Sequence, residues 1–135
     1  MSGLHSDLPV EIVELEDEAA TAALARWLAS FARAGDFLAL SGELGAGKTA
    51  LARAFLREAT GEPELETPSP TFTIVQTYDG KETPLVHADF YRLSGPEDLR
   101  QIGFDEMRQG AVTLVEWGER AAAAMPAERL DITLE

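Results

Sequence analysis

The chain has 135 residues, 24 acidic against 11 basic side chains for a net charge of −13, and no cysteine. This length predicts a single domain over residues 1–135, and the lack of cysteine excludes disulfides and thiolate chemistry. The acidic balance argues against direct binding to nucleic acid, and the absence of a signal-peptide pattern or a run of about 20 apolar residues predicts a cytoplasmic protein without a membrane span.

The first part of the chain predicts two strand-and-helix units. Alternating residues 10–15 predict a short strand, and Asp17 is placed to cap the helix that follows. Apolar residues at helical spacing up to Gly35 are expected to form the core face of this helix: Ala20, Leu24, Trp27, Leu28 and Phe31. A buried strand over 36–42 and a helix over 48–59 come next.

The second part of the chain predicts a hairpin and then alternating helices and strands. After a proline-rich connection, strand-like segments flank a turn at Asp79-Gly80. The remaining predicted elements are a helix over 96–109 broken at Gly103, a strand over 111–116, a short helix over 118–125 and a closing strand over 129–135. This alternation predicts a three-layer α/β sandwich with a mostly parallel sheet and one antiparallel hairpin.

A phosphate-binding motif lies between the second predicted strand and helix. Residues 42–49 read GELGAGKT and satisfy the P-loop pattern in full. Glycines let backbone N–H groups converge on phosphate, Lys48 supplies a charge for the β- and γ-phosphates, and Thr49 offers a hydroxyl to Mg²⁺. The nucleotide is therefore expected to contact Glu43, Leu44, Gly45, Ala46, Gly47, Lys48, Thr49 and Ala50.

Two acids end predicted strands, at the edge where open α/β sheets bind ligands. Both Glu116 and Asp89 are candidate catalytic and metal-binding residues. We favour Glu116 as the acid on the metal side and Asp89 as the holder of a metal-bound or attacking water, although either could be a solvated strand end. His87 alternates with Asp89 and should share its face, as a buried, hydrogen-bonded histidine rather than a base.

Five further side chains have two interpretations each. Thr71 or Thr73 could sense the γ-phosphate or simply begin a strand. Trp117 could stack near the nucleotide or, as its size favours, fill the core. Arg92 and Arg120 are more often solvated than catalytic, although either could assist a γ-phosphate across an interface.

The nucleotide and the reaction follow from what the sequence lacks. The chain has no asparagine, so the N-K-x-D guanine reader is absent and adenine is favoured. Residues 61–70 contain no lysine or arginine and cannot form an arginine-rich lid. ATP hydrolysis is therefore favoured over transfer of a phosphoryl group to a metabolite. A nucleotide-dependent interaction module and a small-molecule kinase remain the alternatives.

Four segments in order, LSGELGAGKT, SPTFTIVQTY, HADFYRL and VEWGER, resemble the TsaE (YjeE) family of bacterial tRNA threonylcarbamoyladenosine biosynthesis. The resemblance spans nearly the whole chain and implies a P-loop NTPase-like fold that binds ATP and Mg²⁺. It places Lys48 and Thr49 in the phosphate loop, Asp89 in a Walker-B-like segment, and Glu116 and Trp117 beside them. It also implies docking onto the TsaB–TsaD complex, with tRNA contacted only through these partners and hydrolysis slow without them.

Overall fold

The computed structural model describes residues 14–42, 47–68 and 74–134. Within them, five strands form one sheet in the order β2-β3-β4-β1-β5: β1 Phe37–Gly42, β2 Val75–Asp79, β3 Pro84–Asp89, β4 Val112–Glu116 and β5 Leu130–Leu134. Strand β1 runs parallel to β4 and β5, and β3 runs parallel to β4. Strand β2 pairs antiparallel with β3. The mostly parallel sheet with an antiparallel hairpin is confirmed.

Helices cover both faces of the sheet: α1 Glu18–Phe31, α2 Lys48–Thr60, α3 Pro96–Gln101, α4 Phe104–Arg108 and a 3₁₀ helix Gly118–Ala124. Residues of α1 and α2 share one core cluster with the sheet, and residues of α3, α4 and the 3₁₀ helix share another. The sheet is therefore the middle of three layers, as predicted. In the described part of the chain, no helix is both long and apolar enough to cross a membrane.

The alternation of side chains along β3 decides where the polar residues at its end point. Leu85 packs in the cluster with α1 and α2, whereas Val86 and Ala88 pack in the cluster on the opposite face. His87 and Asp89 share the parity of Leu85, so they lie on the face that α2 covers. The expectation that both share one face is met, and α2 is the helix that begins with Lys48.

Local signals in the sequence set most of the element boundaries. The backbone N–H of Ala20 donates to Asp17 Oδ1 at 2.8 Å, so Asp17 caps α1 as predicted. Gly61, in the left-handed region at φ 76°, ends α2, and Gly103 at φ 74° separates α3 from α4. The hairpin forms where expected, although Asp79 still pairs with Pro84 and the connection is residues 80–83.

The predicted core face of α1 was wrong at two aromatic residues. Trp27 is 58% and Phe31 is 63% exposed, with their ring centroids 5.0 Å apart. The helix instead buries Ala25, and Leu28 and Ala32 pack beside it. The predicted stripe was wider than the arc that α1 buries. At 3.6 residues per turn, Trp27 and Phe31 lie well away from Ala25 around the helix.

Three further predictions differ from the structure in extent or in helix type. Of the strand predicted over 10–15, residues 10–13 lie outside the described residues, and Glu14 and Leu15 form no strand. The first helix ends at Phe31 rather than near Gly35. The segment after β4 is a 3₁₀ helix with a kink at Ala121, where φ is −146°.

Candidate functional site

Lys48 is the first residue of α2 and its position follows from Gly47. Gly47 caps the helix with φ 98°, a left-handed conformation that favours glycine, and its carbonyl accepts the first helical hydrogen bond from Leu51 N at 2.9 Å. The first N–H groups of a helix have no partner within the helix and carry the positive end of its dipole. The start of α2 therefore directs both its dipole and Lys48 toward the region after β1.

The Lys48 side chain is held at the carboxyl end of β1. Its Nζ donates to the Gly42 carbonyl oxygen at 2.9 Å and lies 4.1 Å from the centroid of the Trp117 ring. Only 5% of the residue is exposed. The carbonyl and the ring face stabilise an ammonium group that would otherwise lose much of its hydration. A fixed positive charge thus lies at this edge of the sheet.

Gly42 brings the edge strand β5 close to this lysine anchor. Gly42 has φ 136°, and a Cβ at this position would overlap the Leu134 carbonyl oxygen and lie 3.2 Å from its carbonyl carbon. Glycine is therefore required for both backbone conformation and space. The carbonyl that accepts from Lys48 therefore belongs to a residue that pairs directly with Leu134 of β5.

The two candidate acids end neighbouring parallel strands. Asp89 of β3 pairs in register with Glu116 of β4, and Glu116 pairs with Leu40 of β1 on its other side. The acids are 5% and 6% exposed, and Asp89 Oδ1 accepts from Tyr91 N at 2.9 Å. Because β1 also leads to Gly42 and Lys48, the sheet brings the lysine and both acids to one edge.

The His87 side chain forms a hydrogen bond with Glu116 of the neighbouring strand β4. The distance from Nε2 to Glu116 Oε2 is 2.8 Å, and His87 is 3% exposed. A carboxylate can only accept, so Nε2 carries the proton and donates. The other ring nitrogen, Nδ1, is buried and has no hydrogen-bond partner among the described residues. The prediction of a buried, hydrogen-bonded histidine is confirmed.

Trp117 is neither fully in the core nor fully on the surface. It is half-buried, it packs partly against the cluster under α3 and α4, and its backbone has φ 59°. Its ring contacts Lys48 on one side and lies 5.0 Å from the ring of the exposed Tyr91. The Arg120 guanidinium lies 5.0 Å from the Tyr91 ring. The preference for a core role was thus only half right, since the ring also faces the lysine.

The structure collects four of the predicted site residues at one edge of the sheet: Lys48, Asp89, Glu116 and Trp117. Thr49 is exposed and Ala50 half-buried in the first turn of α2, next to Gly47. Arg92 and Arg120 are exposed. The remaining predicted contacts lie outside the described residues: Glu43, Leu44, Gly45, Ala46, Thr71 and Thr73.

Sequence reasoning missed three contributions to this site. It did not identify the Gly42 carbonyl as the anchor of Lys48, the Tyr91 ring beside Trp117, or Glu116 as the partner of His87. The last had a usable signal. If β3 and β4 are adjacent, parallel and end together, a histidine two residues before the end of one lies diagonal to the final acid of the other.

The side chains present fit a magnesium–polyphosphate ligand. Lys48 and the start of α2 provide positive charge, and Thr49, Asp89 and Glu116 carry side-chain oxygens of the kind that can bind Mg²⁺. No group of three or more histidine, cysteine or acidic residues capable of holding a metal ion occurs among the described residues. This is compatible with Mg²⁺, which typically binds one or two protein oxygens together with substrate phosphates.

Comparison with known proteins identifies the family. The family model for threonylcarbamoyl adenosine biosynthesis protein TsaE matches residues 15–135. The chain belongs to the TsaE family. Among its relatives, the tRNA threonylcarbamoyladenosine biosynthesis protein TsaE of Rickettsia felis is 36% identical over 121 residues, which cover 90% of this chain and 70% of the relative. The resemblance predicted from the four sequence motifs is confirmed.

Other TsaE proteins and one solved structure agree. The Bacillus subtilis TsaE is 40% identical over 116 residues, covering 85% of this chain and 71% of the relative. The Streptomyces coelicolor TsaE is 43% identical over 115 residues, covering 83% and 76%. The crystal structure of YdiB from Bacillus subtilis superimposes with a TM-score of 0.69 at 36% identity, covering 92% of this chain and 78% of that one. The fold is therefore that of a solved relative.

Proposed function

We propose that this TsaE family member binds ATP and Mg²⁺ and hydrolyses ATP, as a subunit that supports threonylcarbamoyl modification of the tRNA adenosine next to the anticodon by the TsaB–TsaD complex. One observation carries the proposal. Lys48 is anchored at the start of α2 by the Gly42 carbonyl and the Trp117 ring, at the edge where β3 and β4 end in Asp89 and Glu116. The names of the relatives support the link to tRNA modification.

Phosphate binding is the first step that these residues support. Lys48 Nζ now donates to a neutral carbonyl, and an anionic phosphate oxygen is a stronger acceptor for the same ammonium group. The unpaired N–H groups and dipole of α2 favour an anion at the same place. We place the β- and γ-phosphates at Lys48, with the exposed Thr49 hydroxyl beside them.

The two acids take different roles in the proposed hydrolysis. Bound Mg²⁺ would neutralise charge on the phosphate oxygens. We assign the metal side to Glu116 together with Thr49, and we assign Asp89 to orienting a metal-bound or attacking water. Asp89 is held for this task by the hydrogen bond from Tyr91 N to Oδ1 at 2.9 Å. Both acids are buried and point to the face covered by α2.

We propose that water accepts the γ-phosphoryl group and that the protein acts while bound to other proteins. The segment between α2 and the hairpin, residues 61–70, contains no basic side chain that could close over a second substrate. The net charge of −13 favours contact with tRNA only through partners, which suits a subunit that docks onto TsaB–TsaD in the cytoplasm. Adenine is proposed over guanine because the chain has no asparagine for an N-K-x-D motif.

Phosphate release from ATP, measured with and without TsaB–TsaD, tests the proposal. We expect slow release alone and faster release with the complex. Lys48→Ala should weaken ATP binding at least about tenfold, since it removes a charge-assisted hydrogen bond. Lys81→Ala is a matched control, because Lys81 is the other lysine of the chain and is exposed in the hairpin connection.

A second variant separates the alternatives. Glu116→Gln should retain ATP binding and lose turnover by about a hundredfold or more, as expected when an acid of the reacting centre is removed. Full turnover in this variant would favour an interaction module that only binds nucleotide. Labelled phosphate on a metabolite instead of in solution would favour a kinase. Equal and fast rates with and without TsaB–TsaD would contradict control by the partner.

A further inference from the structure

We infer that His87 is a positioning residue that fixes the carboxylate of Glu116 for the reaction, an inference that rests on the proposed ATP hydrolysis. The two residues are 29 positions apart in sequence and meet because β3 and β4 pair in parallel register. In that register Asp89 lies beside Glu116, and His87 lies diagonal to it on the same face. The pair therefore depends on the sheet and not on local sequence.

The contact is short, buried and directional. Nε2 lies 2.8 Å from Oε2, and the two side chains are 4% and 8% exposed. His87 can donate through Nε2 in only one ring orientation, and that orientation leaves Nδ1 buried with no hydrogen-bond partner among the described residues. A purely structural histidine would normally satisfy both nitrogens. Among the described residues, the ring orientation therefore serves the bond to Glu116 and gives no partner to the second nitrogen.

The bond to His87 engages only one of the two carboxylate oxygens of Glu116. Oε2 accepts from His87, and no donor from residues 14–42, 47–68 or 74–134 reaches Oε1. A glutamate has three side-chain torsions, and a bond to one oxygen selects one arrangement of them. Oε1 is therefore the atom through which Glu116 acts on its ligand. Partners of this kind, which orient a ligand without touching the reacting atoms, typically change activity about 10–100-fold when removed.

Two amide substitutions distinguish positioning from packing. The glutamine amide nitrogen reaches the place of the histidine Nε2, whereas the asparagine amide nitrogen reaches only the place of Nδ1. We expect His87→Asn to lower kcat for ATP, measured with TsaB–TsaD, by about 10–100-fold while the KM for ATP changes less than about threefold. His87→Gln should recover most of that loss. In a Glu116→Gln background, His87→Asn should add less than about threefold, because both changes act on one carboxylate.

A control and a second readout keep the test independent of activity. Val86→Ala removes a buried neighbour on the opposite face of β3, so it should lower the melting temperature and leave kcat unchanged. In the protein without nucleotide, ¹⁵N shifts of the imidazole should show a protonated Nε2 and a bare Nδ1 for His87, and Glu116→Gln should move both signals. His5→Gln removes the signals of the other histidine and assigns the spectrum.

Three results would overturn the inference: equal losses of kcat in the Gln and Asn variants, a large KM effect with unchanged kcat, or imidazole shifts that do not respond to Glu116→Gln. If the wild-type protein hydrolyses no ATP even with TsaB–TsaD, the proposed function fails. In that case the imidazole shifts still decide whether His87 holds Glu116. The two failures are therefore distinguishable.

Discussion

Replacing Gly42 with alanine should separate the cost of backbone conformation from the cost of a steric clash. Gly42 has φ 136° and faces the carbonyl of Leu134, so an added methyl group would push β5 away from β1. Gly35 has a similarly positive φ of 95°, but a Cβ there would meet nothing within 4 Å. Gly35→Ala is therefore a matched control that carries only the conformational cost.

The expected magnitudes follow from these two differences. A non-glycine residue in such a conformation costs about 1–3 kcal/mol, and both variants should show this loss. Overpacking against a rigid backbone group adds about 1–3 kcal/mol, and only Gly42→Ala should show it. We expect Gly42→Ala to lower the free energy of unfolding by roughly 4 kcal/mol and Gly35→Ala by roughly 2 kcal/mol.

Urea unfolding followed by circular dichroism measures both variants. The slope of free energy against urea should stay the same, so the difference appears as a lower midpoint for Gly42→Ala. If the two variants lose equal stability within about 0.5 kcal/mol, β5 does not approach β1 as tightly as described and the reasoning is refuted. ATP binding can be measured in both variants as well. If Gly42→Ala weakens it and Gly35→Ala does not, the Gly42 carbonyl that accepts from Lys48 has moved together with β1.

Two further predictions concern α1 and β2. Asp17→Ala should lower the free energy of unfolding by about 1 kcal/mol because it removes the cap on Ala20 N, and Asp17→Asn should lose less, so equal losses would contradict a capping role. Tyr78→Phe removes a buried hydroxyl with no partner among the described residues and should raise the free energy of unfolding by about 1 kcal/mol at pH 7. Burial raises the pKa of Tyr78 above its usual 10.0, so wild-type stability should fall as pH rises past that value, where the unfolded chain ionises first. Urea unfolding measured at several pH values tests this: the fall in stability above pH 10 should be smaller in Tyr78→Phe than in the wild type. A Tyr91→Phe variant, which changes an exposed tyrosine, should show the same fall as the wild type.

Local chemistry made much of the fold predictable. Asp17 and Gly61 act on residues within a few positions of themselves, so the start of α1 and the end of α2 follow from the sequence. The hairpin and Gly103 are likewise local. The same holds for the start of α2, because the sequence pattern GxxxxGK[ST] typically precedes a helix, and α2 begins at Lys48.

The parts that could not be predicted depend on how distant elements meet. Trp27 and Phe31 have the spacing of a core stripe, but the rotation of α1 about its axis depends on how it packs against α2 and the rest of that core cluster. The bond between His87 and Glu116 needs the order and register of β3 and β4, and neither can be read from the two segments separately. Side-chain patterns indicate which elements exist, whereas the pairing of strands emerges only from packing the whole chain.

The left-handed backbone at Trp117 limits how far this protein can be stabilised. In a continuing strand, Trp117 would face away from Glu116, but φ 59° turns its ring back toward Lys48. A residue with a Cβ in this conformation costs about 1–2 kcal/mol, which glycine would relieve. Glycine would also remove the ring that lies against the lysine. Redesigning this position for stability alone would therefore relax the main chain and lose the aromatic side of the Lys48 site.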